Sequence, residues 1–482
     1  MSMDLLITAL SGLVTICLAY ALTLAFNVVK YYPSLKPGAG PIPPGSLGLP
    51  LFGETLKFLT CFHGSRPDLF WRKRTSSSSS KGLFRTHLFG QPTICVTTSK
   101  LVKSVLMNDR LFGIGWPESA KKLVGGRSFL AVSGEAHRRL RRLSTTSITN
   151  TNSLKCTLSE VRTLTTQTLS AWADKGEVVV LPEILKLTFN IIAKIILSYE
   201  PGEEADVFGA EVYQLNQGMR NMAIDLPGTP FNRALKARRK LKLRLQKIMD
   251  ARRASVLAPS NPDALDSLMR SKDEDGQGLE DDEIIDTILA FLIAGHETSA
   301  HAIVWIMYFL QKHPQALHKL KEEQQQIYDL KGRTGSLSVS DFKALTYMPR
   351  VIDETLRIVN LSPFTFRRAL EDVELNESTI PKGWAVQVWF RAIHLDPATF
   401  PDPYTFNPDR WIDSRPTQGA YTPFGAGARG CPGSDLAKLE ISAIVHHLVL
   451  NYRWEPIDPD AKTTYLPHPK PADGYSVRFF RL

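Results

Sequence analysis

A glycine-rich segment near the carboxyl end of the chain, residues 424–433, contains a single cysteine, Cys431. It reads Phe-Gly-Ala-Gly-Ala-Arg-Gly-Cys-Pro-Gly, and we expect a helix to begin at about Ser434. Glycines allow tight backbone turns and the close approach of a flat, bulky group. A cysteine at a helix start, near Arg429, has surroundings that favour the thiolate, which is the form that binds metals. The segment therefore predicts a thiolate site, the alternative being a structural cysteine buried in a glycine turn.

A second group of chemically capable residues lies inside a long apolar segment, where Glu297 and Thr298 follow Gly295 and His296. A threonine in a helix usually returns its hydroxyl to a backbone carbonyl. An acid beside a hydroxyl can instead serve in general acid–base catalysis. His296 lies about 100° around the helix from Gly295, away from the stripe that Gly295 shares with Thr298. We therefore predict that His296 packs against neighbouring side chains or supports them.

Two further segments combine charged and imidazole side chains. Glu354 and Arg357 stand three residues apart, so on a helix they share one face and can form an ion pair. Such pairs are common on solvated helices, so this spacing alone does not indicate a site. Residues 134–141 contain His137 and Arg141 among other arginines.

The elements that must position these residues are predicted to be mainly helical. Residues 281–311 form the clearest long helix, because the segment starts with acidic residues, is apolar on nearly all sides and is followed by Pro314. Strand-like patterns are few, at residues 94–97 and 385–390. No composition break divides residues 51–482, so we predict one large domain that is mainly α with a small β portion.

The amino-terminal region predicts a membrane anchor. Residues 5–29 carry no charge and exceed the roughly 20 apolar residues that span a bilayer. The first positive charges, Lys30 and Lys36, follow the apolar stretch, which is the reverse of the order in a signal peptide. We expect a transmembrane helix at residues 1–30, a Pro/Gly-rich hinge at 31–50, and a cytosolic body. Five scattered cysteines, an odd number, agree with a reducing compartment.

The net charge of +10 favours an anionic partner, which could be lipid headgroups, an acidic protein or nucleic acid. Zinc-finger spacing and an aromatic-interleaved basic ladder are both missing from the sequence, so nucleic acid is the weakest of the three. Residues 235–248 predict a helix with a very basic face, either solvated or in contact with a membrane or an acidic partner. The serine run at residues 76–80 predicts a solvated loop.

The segment at residues 424–433 resembles the haem-binding loop of the cytochrome P450 family, Phe-x-x-Gly-x-Arg-x-Cys-x-Gly, at every fixed position. Glu-x-x-Arg at 354–357, Pro-Asp-Arg-Trp at 408–411 and Ala-Gly-His-Glu-Thr at 294–298 resemble further elements of the family in its order along the chain. The resemblance covers essentially the whole chain. It implies the cytochrome P450 fold, preceded by one transmembrane helix.

The resemblance also implies a role for each candidate residue. Cys431 would ligate the iron of haem b, and Glu297 with Thr298 would deliver protons for oxygen activation. The other implied cofactor-binding residues are His137, Arg141, Arg367, Phe424 and Arg429. Much of the family has tryptophan where this chain has His137, and either side chain offers an N–H donor. Glu354, Arg357 and Arg410 would form a buried triad that locks the cysteine loop.

The implied reaction is monooxygenation with dioxygen, using electrons from NADPH through a cytochrome P450 reductase at the endoplasmic reticulum membrane. Haem-thiolate isomerases and haem sensors are the alternatives. They fit less well, because the acid–threonine pair and the cysteine loop are both intact. A reductase contact would also explain the basic residues Arg138, Arg139 and Arg142.

The substrate is a finer question. Segments around His137, residues 366–373 and 431–440 resemble the plant clan that oxidises terpenoid and sterol hormones, and residues 225–229 and 465–468 resemble its branch acting on ent-kaurenoic acid in gibberellin synthesis. Brassinosteroids, strigolactone precursors, abscisic acid and triterpenes are the alternatives. The candidate pocket residues are Phe112, Trp116, Phe129, the region from Met219 to Met222, Phe291, Ala294 and Phe364, with Arg127 or Arg220 for a substrate carboxylate.

Overall fold

The computed structural model describes residues 3–31, 37–49, 53–75, 81–149, 151–219, 221, 223–255, 262–333, 337–412, 416–466 and 468–482. The predictions for residues 76–80, Arg220 and Met222 lie outside this part of the chain.

Helices account for most of the described chain. In order they are α1 (Met3–Tyr31), α2 (Thr55–His63), α3 (Leu69–Thr75), α4 (Ser99–Leu106), α5 (Glu118–Val124), α6 (Gly134–Thr149), α7 (Thr151–Lys175), α8 (Val180–Leu197), α9 (Glu203–Met219), α10 (Pro230–Ala254), α11 (Ala264–Arg270), α12 (Asp281–Lys312), α13 (Pro314–Leu330), α14 (Val339–Ala344), α15 (Tyr347–Val359), α16 (Phe390–His394) and α17 (Ser434–Asn451).

The strands are short. They are β1 (Leu83–Leu88), β2 (Gln91–Val96), β3 (Phe112–Ile114), β4 (Glu177–Val179), β5 (Thr365–Ala369), β6 (Val373–Leu375), β7 (Ser378–Ile380), β8 (Ala385–Val388), β9 (Tyr452–Pro456), β10 (Thr463–Thr464), β11 (Lys470–Pro471) and β12 (Ser476–Arg481). The prediction of a mainly α fold with a small β portion is confirmed. Both predicted strands exist, although the second ends at Val388 and Phe390 begins a helix.

The described chain divides into two compact units. The first comprises Met1–Gly115, Phe364–Ile393 and Gln418–Ala420. Its sheet has the order β1-β2-β8-β5-β3, in which only β2 and β8 run parallel. Aromatic rings pack beside the sheet, with Phe70 stacked on Trp389 and Phe58 edge-on to Phe70. Such offset and edge-to-face ring pairs hold a core with defined geometry.

The second unit comprises Trp116–Pro363, His394–Thr417 and Tyr421–Leu482, and α12 is its central element. A capping box joins Glu280 and Glu283 at the start of α12, so orphan N–H groups there are satisfied. Side chains from Ile284 to Leu310 are then mostly buried, and α8, α15 and α17 pack around them. A helix that is apolar on nearly all sides is stable only when other elements surround it in this way.

Helix α1 occupies the position predicted for the anchor, and many of its apolar side chains are exposed, among them Leu13, Ile16 and Leu22. Within the described chain, α12 alone is long and apolar enough to cross a membrane by length and composition, and 78% of its most apolar window is buried in the protein. Helix α1 contains a shorter apolar stretch, Leu10–Leu22. The anchor stays a prediction.

Candidate active site

The cysteine loop folds back on itself as its glycines predict. Gly425 and Gly427 both adopt φ +71°, a left-handed conformation that side chains rarely take. The Cys431 N–H donates to the Phe424 carbonyl at 2.7 Å, and the Gly430 N–H donates to Gly427 at 3.0 Å. Helix α17 begins at Ser434, the position expected. The turn therefore places Cys431 beside the start of the loop, immediately before a helix.

The surroundings of Cys431 differ from the expectation in one respect. Protein atoms enclose most of the Cys431 side chain, but part of its surface stays accessible. The enclosure raises the pKa of the thiol. The Gly433 N–H and the positive charge of Arg141 oppose that rise. Arg429, the cation expected near the thiol, instead donates to the Val132 carbonyl at 3.0 Å. Arg141 therefore provides the positive charge beside Cys431.

Helix α6 brings two more predicted residues to the loop. It begins at Gly134, directly after Ser133, whose hydroxyl lies 3.3 Å from a guanidinium nitrogen of Arg429. His137 is buried on this helix, and Arg141 follows four residues later on the same face. Burial lowers the pKa of Arg141, and the charge of a Cys431 thiolate raises it. The structure thus brings Arg141 close to Cys431 and ties the cysteine loop, through Arg429, to the start of α6.

The remaining arginines of α6 are engaged within the chain. Arg138 pairs with Glu135 at 2.6 Å, Arg139 pairs with Asp273 at 2.6 Å, and Arg142 pairs with Glu274. A partner protein would therefore meet a surface on which these positive charges are partly neutralised.

Part of the predicted basic helix pairs with acidic residues of the chain itself. Helix α10 directs Arg238 to the buried Asp286 at 2.6 Å and Lys242 to Asp282 at 2.8 Å, both on α12. The sequence predicts a solvated face or a contact with an external partner, and it does not reveal these acidic residues because they lie on a distant segment. Lys236, Arg239, Lys240 and Lys247 of this helix are exposed.

The middle of α12 presents the second group of predicted residues. Ala294 is exposed and Gly295 and Thr298 are half-buried, whereas most neighbouring positions of the helix are buried. The Thr298 hydroxyl donates to the Ala294 carbonyl at 2.8 Å. Its oxygen retains lone pairs that can accept a second hydrogen bond. A Cβ at Gly295 would come within 3.1 Å of Ile192, so close packing of α8 also favours glycine there.

Glu297 lies next to His468, and the sequence positions of the two residues do not reveal this contact. Its side chain is buried, and its carboxylate lies 3.8 Å from Nε2 of His468, which is longer than a hydrogen bond. The Nδ1 of His468 lies 3.0 Å from the Leu361 carbonyl, so that nitrogen carries the proton. The ring of His301 lies 5.0 Å from the ring of His468. An acid and two imidazoles therefore lie together at the middle of α12.

His296 packs as predicted. Its Nδ1 lies 2.7 Å from the Leu292 carbonyl, and its ring contacts Phe189 edge-on. Both contacts are typical of a histidine in a protein core.

Glu354, Arg357 and Arg410 form the predicted triad. Glu354 binds each arginine at 2.8 Å, and both Glu354 and Arg357 are fully buried. Arg357 also donates to the His394 carbonyl at 2.9 Å, and Nε2 of His394 accepts from the Thr422 N–H at 3.0 Å. Because the Gly425 N–H donates to the Thr422 carbonyl, a chain of hydrogen bonds joins the triad to the cysteine loop.

Roles at the site are also predicted for Phe129, Phe291, Arg127 and Arg367. Phe129 and Phe291 contact each other within the second unit. The side chain of Arg127 pairs with Glu280, and its backbone N–H donates to Asp286. Arg367 is buried on β5 of the first unit and donates to the Phe366 carbonyl, so its role at a cofactor stays a prediction.

Comparison with known proteins places these features in a family. A family model described as Cytochrome P450 matches residues 43–475. Ent-kaurenoic acid oxidase 1 of Arabidopsis thaliana is 42% identical over 458 residues, covering 94% of this chain and 93% of the relative. Beta-amyrin 11-oxidase of Glycyrrhiza uralensis is 38% identical over 449 residues, covering 92% and 91%. A solved structure described as retinoic acid bound cyanobacterial CYP120A1 superposes with a TM-score of 0.83 at 28% identity, covering 92% of this chain and all of that one.

Proposed function

Because this chain belongs to the cytochrome P450 family, we propose that it is a haem-thiolate monooxygenase whose substrate is ent-kaurenoic acid, oxidised toward gibberellin precursors. The observation that most directly supports this substrate is the 42% identity to Ent-kaurenoic acid oxidase 1 over nearly the whole of both chains. The enclosed thiol of Cys431, at a helix start and beside Arg141, supports the same class of chemistry.

The residues present fit a haem. Cys431 offers an accessible thiol. Arg141 and Arg429 supply positive charge at the loop, and His137 supplies an N–H donor. The exposed Ala294 and the half-buried Thr298 leave accessible surface in the middle of an otherwise buried helix. These groups match a cofactor that has a flat apolar body and carboxylates at its edge.

Haem supplies the iron that binds and activates dioxygen. In the proposed mechanism Cys431 would be the thiolate ligand, since a metal ion favours the deprotonated form of a coordinating thiol. Arg141, Arg429 and His137 would hold the cofactor's carboxylates, and Phe424 would contact the cofactor from the start of the loop. Glu297 and Thr298 would hold and deliver protons for oxygen activation, and electrons would come from NADPH through a reductase.

Replacing Thr298 with alanine should uncouple electron use from product formation. The variant should still bind haem and substrate, because among the described residues the hydroxyl bonds only to the Ala294 carbonyl of its own helix. Positioned proton transfer contributes about 10²–10⁴-fold in rate, so we expect product per NADPH to fall about tenfold or more, with hydrogen peroxide rising. The assay measures NADPH, peroxide and product together. Thr298→Ser, which keeps the hydroxyl, is the matched control, and equal coupling in the alanine variant would refute this role.

Substrate identity is tested in microsomes that contain this enzyme and a plant reductase. Ent-kaurenoic acid, a brassinosteroid precursor, abscisic acid, a strigolactone-pathway acid and beta-amyrin are supplied in parallel. We expect turnover of ent-kaurenoic acid alone. Beta-amyrin is included because a relative at 38% identity is named for oxidising it. If another compound is oxidised and no diterpenoid product forms, the enzyme belongs to a different branch of the plant clan that oxidises terpenoid and sterol hormones.

Recognition of the substrate carboxylate can be tested in the same assay. A carboxylate that enters an apolar pocket needs a charged or hydrogen-bonding partner, because its lost hydration is costly. The methyl ester of ent-kaurenoic acid should therefore bind more weakly than the acid. Arg127, one candidate partner, would have to exchange its contact with Glu280 to serve. Equal binding of ester and acid would exclude a charged partner.

We also propose that α1 anchors the enzyme in the endoplasmic reticulum membrane with the body in the cytosol. The support is the uncharged stretch at residues 5–29 and the exposure of its apolar side chains. Protease added to intact microsomes should digest the body. Addition of detergent should then make only the lumenal terminus newly susceptible to the protease. Full protection of the body before detergent is added would contradict this orientation.

A further inference from the structure

A cavity of about 460 Å³ lies between α7, α14, α17 and the residues just before α14, away from the candidate active site. It opens beside the far end of α17. His446, which lines it, follows Ser434 by twelve residues, so it lies about 18 Å along the helix axis from the end that carries the cysteine loop. A volume of this size is within the usual range for small-molecule sites, about 300–1,000 Å³.

The lining of this cavity carries positive charge only. Lys155, Arg162 and Lys343 all contribute to it, and its described lining residues include no carboxylate. In the part of the chain that the structure describes, none of these three side chains forms an ion pair, whereas Arg139 of α6 and Arg238 of α10 do. The nearby carboxylate of Asp341 is bound to Lys331 at 2.8 Å and to the Ser338 hydroxyl at 2.7 Å.

The floor of the cavity is apolar and aromatic. Phe342 is buried there, with its ring edge-on to that of His446, and Nδ1 of His446 lies 2.9 Å from the Gln324 side-chain oxygen. Burial lowers the pKa of His446 to about 3. Burial, and then the charge of Arg162, lowers the pKa of His447 to about 4. Both rings are neutral at pH 7, so the positive charge of the site resides on the lysines and the arginine.

We propose that this cavity binds a phosphate ester with an apolar or aromatic body. Three cations that have no ion-pair partner among the described residues, around a described lining without carboxylates, favour a group with two negative charges over a monocarboxylate. Phe342 and the neutral imidazole of His446 form a floor on which a flat or apolar body can pack. The ester could be a free nucleotide or the headgroup of an anionic lipid, and both present the same phosphate chemistry to these side chains.

Binding is measured by calorimetry on the full-length, detergent-solubilised holoenzyme with two soluble probes, ADP and a short-chain phosphatidic acid. Adenosine and the corresponding short-chain diacylglycerol are the uncharged counterparts. The test variant is Arg162→Gln with Lys343→Gln. The matched control, Lys236→Gln with Arg239→Gln, removes the same charge from exposed positions of α10.

We expect saturable binding of one probe, weakened on the order of tenfold or more in the test variant and unchanged in the control. The probe that binds identifies the source of the phosphate. Absence of saturable binding by both probes, equal binding by the test variant, equal weakening in the control, or equal binding of the uncharged counterpart would each overturn the proposal. The carbon monoxide spectrum should be the same in every variant, which separates this result from any failure of the haem assignment.

Discussion

Substitution of Cys431 by alanine is expected to abolish the thiolate-type spectrum of the reduced carbon monoxide complex and all monooxygenase activity. The reason is local. The loop presents one thiol, held by the bond from its own N–H to Phe424 and followed at once by α17. A thiolate on haem iron donates electron density that favours O–O cleavage, and alanine cannot replace it.

Cys156→Ala is the matched control for this prediction. Cys156 is also an exposed cysteine, but it lies on α7 rather than in the loop. This variant should keep the spectrum and the activity of the parent enzyme. Haem content is measured separately, because a variant that binds no haem also gives no spectrum. A thiolate-type spectrum in Cys431→Ala would show that the ligand assignment is wrong.

The local geometry of the site could be predicted from sequence because short-range sterics determine it. The glycines at 425 and 427 predicted tight turns, and both take left-handed φ values. The segment at residues 281–311 predicted a helix, and α12 runs from Asp281 to Lys312 because its caps and apolar faces are encoded within it. The spacing of Glu354 and Arg357 predicted a pair that the structure contains.

The partners of charged side chains could not be predicted in the same way, because they depend on which distant segments meet. Arg141 rather than Arg429 provides the charge near Cys431. His468 lies beside Glu297 although 170 residues separate them in sequence, so spacing carries no signal for this contact. The sequence of α10 predicts a basic face that is solvated or meets an external partner, but it does not reveal Asp286, an acidic partner on another helix.

Replacing Glu354 with alanine should destabilise the protein severely. Its carboxylate is fully buried and binds Arg357 and Arg410 at 2.8 Å each, with further bonds from the Asn407 N–H and the Trp411 indole. Removing it would leave a fully buried guanidinium without its counter-ion. Breaking a buried ion pair in this way costs about 3–5 kcal/mol, which is a large part of the stability of most domains. The free energy of unfolding is measured by denaturant titration of the detergent-solubilised enzyme.

Glu135 offers a matched control, because it also pairs with an arginine three residues later, but both side chains are largely exposed. Glu135→Ala should leave stability unchanged, since solvent screens such pairs. The two variants should also differ in how they lose haem. Arg357 connects through His394 and Thr422 to Gly425, so Glu354→Ala should release the cofactor at lower denaturant than is needed to unfold the helices. Simultaneous loss of haem absorbance and helical circular dichroism would mean that the triad stabilises the whole unit and does not specifically lock the cysteine loop. Unchanged stability of Glu354→Ala would contradict both roles.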